Sequence, residues 1–141
     1  MKYNDEKIKY YLNNILTIPS PSGFTEKVMD YIKEELYILN VPYSVTNKGA
    51  VVVTLEGKNK DYERVFSAHI DTLGAMVKSI KSNGCVSFLP IGGFMMNSIE
   101  GENCTIENLY DKKITGTVQS TKPSVHISGD EARELKRTPE N

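Results

Sequence analysis

The residues best suited to do chemistry are His69 and Asp71, in the stretch Arg64-Val65-Phe66-Ser67-Ala68-His69-Ile70-Asp71-Thr72-Leu73-Gly74. Imidazole is the commonest metal ligand, and its second ring nitrogen usually takes a carboxylate partner that fixes the tautomer and raises ligand basicity. In extended backbone, residues two apart point to the same face, so this histidine and this carboxylate can serve one site. The mainly apolar stretch 65–68 predicts a short strand that delivers the histidine. If that strand is parallel in an open α/β sheet, its carboxyl end is where ligands bind. The triplet also suits a histidine held structurally by hydrogen bonds, and spacing alone leaves both readings open.

The elements that must position these groups can be read on either side of them. Ile8, Tyr11, Leu12, Ile15 and Leu16 recur at the spacing of one helical face, with Asn4 or Asp5 available as a cap. Pro19 and Pro21 end that helix, and Ser20-Pro21-Ser22-Gly23 predicts a turn, with Ser22 able to cap the helix that follows. The second helix is expected from about residue 24 to 39, with Val28, Met29, Ile32, Leu36 and Leu39 facing inward, and it stops before Asn40 and Pro42. Tyr43-Ser44-Val45 alternates, Asn47-Lys48-Gly49 turns, and the apolar run 50–55 suggests a strand covered on both faces. Residues 57–61 form a polar loop. Two helices and about three strands make the opening of an α/β layered domain.

The pattern changes after Gly74. Residues 75–80 and 86–89 flank Ser82-Asn83-Gly84, a hairpin signal, and residues 103–106 and 113–118 continue as short strands between charged turns. This is the rhythm of a small barrel or curved sheet, which puts a domain boundary near residues 72–75. Residues 130–137 predict a turn or two of helix, and the chain stops at Thr138-Pro139-Glu140-Asn141 without a closing strand.

The bulk composition narrows the function classes. A length of 141 residues suits one ordinary domain or two small pieces, and 39% apolar with 25% charged residues reads as soluble and globular. A net charge of −1, with Lys and Arg spread along the chain, argues against nucleic-acid binding. No apolar run approaches the roughly 20 residues of a membrane span. The polar start Met1-Lys2-Tyr3-Asn4-Asp5-Glu6 leads into no signal peptide. Cys85 and Cys104, with no CxxC spacing, read as two reduced thiols, so a cytoplasmic protein is expected.

Four motifs in order carry a resemblance that covers essentially the whole chain. Residues 19–26 (Pro-Ser-Pro-Ser-Gly-Phe-Thr-Glu), residues 68–77 around His69 and Asp71, Leu89-Pro90-Ile91-Gly92-Gly93, and Gly116-Thr117-Val118 with Lys122-Pro123-Ser124-Val125-His126 all match one pattern. The chain resembles the N-terminal part of the tetrahedral-assembly metallo-aminopeptidases, also called glutamyl or deblocking aminopeptidases and sometimes labelled cellulases or endoglucanases.

The resemblance implies an exopeptidase that removes N-terminal residues from short peptides with two divalent metals, zinc or cobalt, and a bridging water. The metals would lower the water's pKa and polarise the scissile carbonyl, with a Glu as general base. It implies that His69 is a metal ligand and that Asp71 is the catalytic-site carboxylate orienting it. Thr72 stands where an acidic residue is expected, a departure that bears on tuning or subgroup. Family members are longer, and the remaining ligands and the general base lie in the part not represented here. The resemblance therefore implies at most one partial metal site and a chain inactive by itself. It also implies two pieces: residues 1–73 as the N-terminal part of the catalytic α/β domain, and residues 74–141 as part of an inserted, incomplete β-barrel-like dimerisation domain. The expected partners are peptide substrates and further copies of the chain through the β-rich region, with neither nucleic acid nor membrane.

Other candidates have plainer explanations. Glu34-Glu35 resembles the family's paired glutamates but sits mid-helix, as a solvated face would. His126 lies in an alternating segment and suits a structural or interface role. Phe94, Met95 and Met96 suit ordinary packing more than a soft contact surface. Gly92-Gly93 lacks the Lys-Ser/Thr sequel of a phosphate loop, and neither histidine stands in a serine or cysteine triad context. The alternative to an aminopeptidase fragment is a non-catalytic self-association module built on the β-rich region.

Overall fold

The computed structural model describes residues 3–59 and 61–141; Met1, Lys2 and Lys60, the last within the expected polar loop, lie outside them. The chain forms two compact units, Met1–Gly74 and Ala75–Asn141.

In the first unit, α1 spans Asp5–Thr17 and α2 spans Glu26–Ile38. The Asn4 side chain caps α1 by accepting from the Lys7 amide at 3.1 Å, and Asp5 and Glu6 place negative charge at its positive end. Pro19 explains its stop: the residue before a proline is pushed out of the helical region, and Ile18 is extended (φ −86°, ψ 114°). The start of α2 differs from expectation. Thr25 occupies the cap position without a side-chain cap bond, and the Ser22 hydroxyl goes elsewhere. The end of α2 is set by Asn40 at φ 53°, a conformation asparagine tolerates better than most residues. Its amide donates to Tyr37 O at 3.0 Å while the Val41 amide donates to Leu36 O at 2.9 Å. Those two bonds are a Schellman motif, which satisfies carbonyls the helix would otherwise strand.

Val28 is the fully buried residue of α2, and Asn14 of α1 donates to the Tyr31 hydroxyl of α2 at 3.1 Å. Glu35 lies near Tyr11 and Tyr31; burial first, then this carboxylate, raises the Tyr11 pKa. The apolar stripe of α1 is less covered than its periodicity predicts, since Ile8, Leu12 and Leu16 are exposed.

Beyond the helices, β1 (Ser44–Val45) and β2 (Val51–Val52) pair antiparallel in the register Ser44↔Val52 and Val45↔Val51. They are joined through the expected turn, where Gly49 has φ 88°. The remainder of the apolar run 50–55 does not extend this ladder. Residues 65–68, expected as a strand, are not in one: no described strand pairs with them, and Val65 and Phe66 are 88% and 93% exposed. Apolar, β-branched sequence supplies propensity for extension, but a strand exists only where a neighbour takes up its backbone bonds.

The second unit is β-rich, and its strands fall close to expectation. β3 (Gly74–Ile80, whose first residue belongs to the first unit) and β4 (Val86–Ile91) form a hairpin, with Gly84 at φ 84° in the turn. β5 (Asn103–Glu107) and β6 (Lys113–Thr117) pair antiparallel from Asn103↔Thr117 to Glu107↔Lys113. Their turn is organised by the Asn108 side chain, which accepts from the amides of Tyr110 and Lys112 at 2.9 and 3.0 Å. These are separate two-stranded ladders, and no closed barrel forms among the described residues.

Residues 124–127, expected as an alternating segment, instead lead into a short helix, α3 (Val125–Ser128), followed by α4 (Asp130–Arg133). Beyond α4, Arg137 grips Glu100 with two bonds, Nε to Oε2 at 2.8 Å and Nη2 to Oε1 at 3.2 Å. That fork holds the Glu100 carboxyl below its usual range.

One close approach in the first unit requires glycine. A Cβ at Gly74 would stand 2.6 Å from Pro21 Cβ, against a ring that cannot rotate away. Gly74→Ala is expected to destabilise the first unit by roughly 1–3 kcal/mol, the usual range for overpacking. Gly57→Ala, whose new Cβ would meet only Asn59 O at 3.6 Å, is expected to be near neutral. Urea denaturation of both variants checks this, and equal midpoints would remove the constraint.

Candidate metal-ligand site

The site lies within the first unit and begins with a backbone strap. The Pro19-to-Gly23 turn runs beside residues 70–72, where Pro21 and Thr72 form an isolated parallel bridge. The Thr72 amide donates to Ser20 O at 2.9 Å, and the Ser20 hydroxyl donates to Ile70 O at 3.0 Å. Ser20 is fully buried, so its hydroxyl needs this partner. Inside the turn, the Phe24 amide donates to Pro21 O at 2.8 Å, and Gly23 takes φ 87°. His69 and Asp71 are therefore carried on a segment pinned to the turn between the helices, in place of the expected strand.

The expected pair is brought together. His69 Nδ1 lies 2.9 Å from Asp71 Oδ1, and the other carboxylate oxygen, Oδ2, accepts from the Ser22 hydroxyl at 2.5 Å. The Ser22 hydroxyl first, then the His69 ring, holds the Asp71 carboxyl below its ordinary value. An ionised carboxylate only accepts, so Nδ1 of a neutral His69 carries the proton and Nε2 keeps a free lone pair. The His69 side chain is 86% exposed, which leaves Nε2 open to a ligand.

The other candidates lie elsewhere. Glu34 and Glu35 are on α2, Glu34 exposed and Glu35 near the two tyrosines. His126 is in α3 of the second unit, and Cys85 and Cys104 are free thiols there. Sequence reasoning missed the role of Ser22, which it took for a helix cap. The repeated serine in Pro-Ser-Pro-Ser-Gly was the available signal, but its partner lies 49 residues away.

Among the described residues, no group of three or more His, Cys, Asp or Glu side chains gathers as a metal cluster would. A zinc site takes three or four protein ligands. The residues present thus fit one ligand position with its orienting carboxylate, and do not fit a whole site. The hydrogen-bond chain itself has a pH signature. A carboxyl lowered on folding contributes stability that is present above its unfolded value, about 3.9, and lost as pH falls through the folded value. A carbon-13 titration is expected to place the Asp71 midpoint below that of a free aspartate, and Ser22→Ala should raise it. A midpoint unchanged by Ser22→Ala would show that the short contact contributes nothing.

The glutamyl aminopeptidase (M42) family profile matches residues 49–141. The YhfE protein of Bacillus subtilis (strain 168), whose name assigns it provisionally to the aminopeptidases, is 42% identical over 130 residues, covering 92% of this chain and 37% of its own length. A glutamyl aminopeptidase of Lactococcus lactis subsp. cremoris (strain MG1363) is 33% identical over 98 residues, covering 69% of this chain and 28% of its own length. Among solved structures, a TET aminopeptidase from the marine sediment archaeon Thaumarchaeota archaeon SCGC AB-539-E09 superposes with a TM-score of 0.77 at 22% identity, over 95% of this chain and 36% of that one. An endoglucanase of Thermotoga maritima gives a TM-score of 0.67 at 28% identity, over 88% of this chain and 41% of that one. The chain thus spans well under half the length of each of these four proteins. Its mixed helix and sheet content is that of a fragment of the TET aminopeptidase fold. By the extent of the profile match and the identity to YhfE, the chain belongs to the M42 glutamyl aminopeptidase family, a family of peptidases.

Proposed function

We propose that this chain is the N-terminal portion of a metal-dependent aminopeptidase and that His69 supplies one metal ligand through Nε2. The observation that carries the reading is the 2.9 Å contact of His69 Nδ1 with Asp71 on an exposed side chain, which in a neutral ring makes Nε2 the nitrogen free to bind. Asp71 acts at the site by holding the ring's tautomer and orientation, the usual task of a carboxylate behind a ligating histidine. When bound, a divalent cation such as zinc or cobalt supplies a low-pKa water and polarises a peptide carbonyl. The other ligands and the general base come from outside this stretch, so these 141 residues do not turn over substrate by themselves. Residues 1–73 belong on this reading to the catalytic α/β domain of a cytoplasmic enzyme that acts on short peptides.

Residues 74–141 are read as part of a barrel-like domain through which copies associate. Met76, Val77, Ile80 and Leu89 support this, being exposed apolar residues of the β3–β4 hairpin. Unpaired strand edges are templates for pairing with a second chain. No helix among the described residues is long and apolar enough to cross a membrane.

Assayed on a panel of aminoacyl chromogenic substrates with zinc or cobalt, the purified chain is expected to match its His69→Ala variant at background. Turnover that disappears in His69→Ala would mean that this stretch builds a working site. Zinc should raise the melting temperature of the parent in a concentration-dependent way and leave His69→Ala unmoved; an equal response in both would sink the ligand assignment. For the β-rich region, sedimentation is expected to show dimers or larger species with or without zinc. A monomer at every concentration would count against association through that face.

A further inference from the structure

We propose that Ser22 is a positioning residue for the His69 ligand, locking the Asp71 carboxylate so that its other oxygen holds the imidazole. The inference rests on the reading that His69 Nε2 takes a metal, and it adds a residue from a different segment of the chain.

Three observations support it. The two oxygens of Asp71 have separate partners: Oδ2 accepts from Ser22 at 2.5 Å, and Oδ1 faces His69 Nδ1 at 2.9 Å. A carboxylate bound at both ends cannot swing without breaking a bond, and an O–H donor this close to an ionised acceptor is in the strong, charge-assisted range. Next, the hydroxyl is aimed by a rigid carrier. Ser22 follows Pro21, whose ring packs at Gly74 and whose backbone pairs with Thr72, while the neighbouring Ser20 is buried and bonded to Ile70. Asp71 lies between those two anchor points, so the distance from Ser22 to Asp71 is set by backbone as well as by side-chain rotamers. Finally, the ordinary use of a serine before a helix is not the one found. Thr25 holds the cap position of α2, and the Ser22 hydroxyl points instead at a carboxylate 49 residues away.

The consequence concerns the ring. With Ser22 in place, the carboxylate presents Oδ1 in one direction and selects the tautomer protonated at Nδ1. Without that hydroxyl, the carboxylate rotates and both tautomers of His69 are populated, which lowers the fraction of rings ready to bind through Nε2.

The test uses the 141-residue chain, nitrogen-15 labelled at histidine, without metal and near neutral pH. Ring nitrogen shifts report the His69 tautomer in the parent, Ser22→Ala, Ser22→Thr, Ser20→Ala and Asp71→Ala. Zinc titration of the same samples reports affinity. The parent and Ser22→Thr should be protonated mainly at Nδ1. Ser22→Ala should show a mixture and bind zinc about 10-fold more weakly, the lower end for groups that orient a ligand. Should Ser22→Ala match the parent in tautomer and affinity while Asp71→Ala loses both, Ser22 has no positioning role and the ligand reading survives. If Asp71→Ala also matches the parent, the ligand reading fails first and the proposal falls with it. A tautomer change in Ser20→Ala as large as that in Ser22→Ala would assign the effect to the backbone strap and overturn the direct role of Ser22.

Discussion

The candidate site depends on the strap between the Pro19-to-Gly23 turn and residues 70–72. Three bonds tie the two segments: Thr72 amide to Ser20 O, Ser20 hydroxyl to Ile70 O, and Ser22 hydroxyl to Asp71. Residues 65–68 lie in no strand, so no sheet ladder among the described residues holds the histidine segment from its N-terminal side. The strap does that work instead, and it demands small residues on both sides. Ser20 has to be small enough to be buried, and Gly74 has to lack a Cβ because Pro21 occupies the space. Bonds across 50 residues of sequence also carry a closure entropy that a short local turn does not.

Full burial of apolar side chains is confined to a few positions among the described residues, with others half-buried. Among the described residues, the buried apolar side chains are Val28 in the first unit and Ala132 in the second. Directed interactions add local order: the Asn4 cap, the Asn108 turn and the Arg137–Glu100 fork. Such interactions set local geometry well but each contributes modestly to net stability. Leu12, Leu16, Val65, Phe66 and Ile80 are exposed, and this chain spans well under half the length of the relatives it matches.

Much of the local structure was legible in the sequence because its causes are local. The Asn4 cap, the stop before Pro19, the end of α2 at Asn40, the hairpin around Gly84 and the β5–β6 pair each follow from a residue's own backbone preference or from neighbours a few positions away. The expected strand at residues 65–68 failed for the complementary reason. Val65 and Phe66 favour extension, but hydrogen-bond partners for a strand are supplied by other segments, and none among the described residues supplies them. The short helix at Val125–Ser128 likewise overrode an alternating pattern too brief to decide between periods.

For the site, the sequence alone determined its two residue types and their likeness to one peptidase family. A histidine and an aspartate two positions apart can share a face in any extended segment, and motifs in fixed order carry family membership without coordinates. The third member was decided only by tertiary structure. Nothing local distinguishes a Ser22 that caps a helix from a Ser22 that binds Asp71, since both uses need the same hydroxyl in the same kind of turn. The choice was made when the strap brought residues 49 positions apart within 2.5 Å, where an ionised carboxylate is a stronger acceptor partner for the hydroxyl than a free helix amide is for its oxygen.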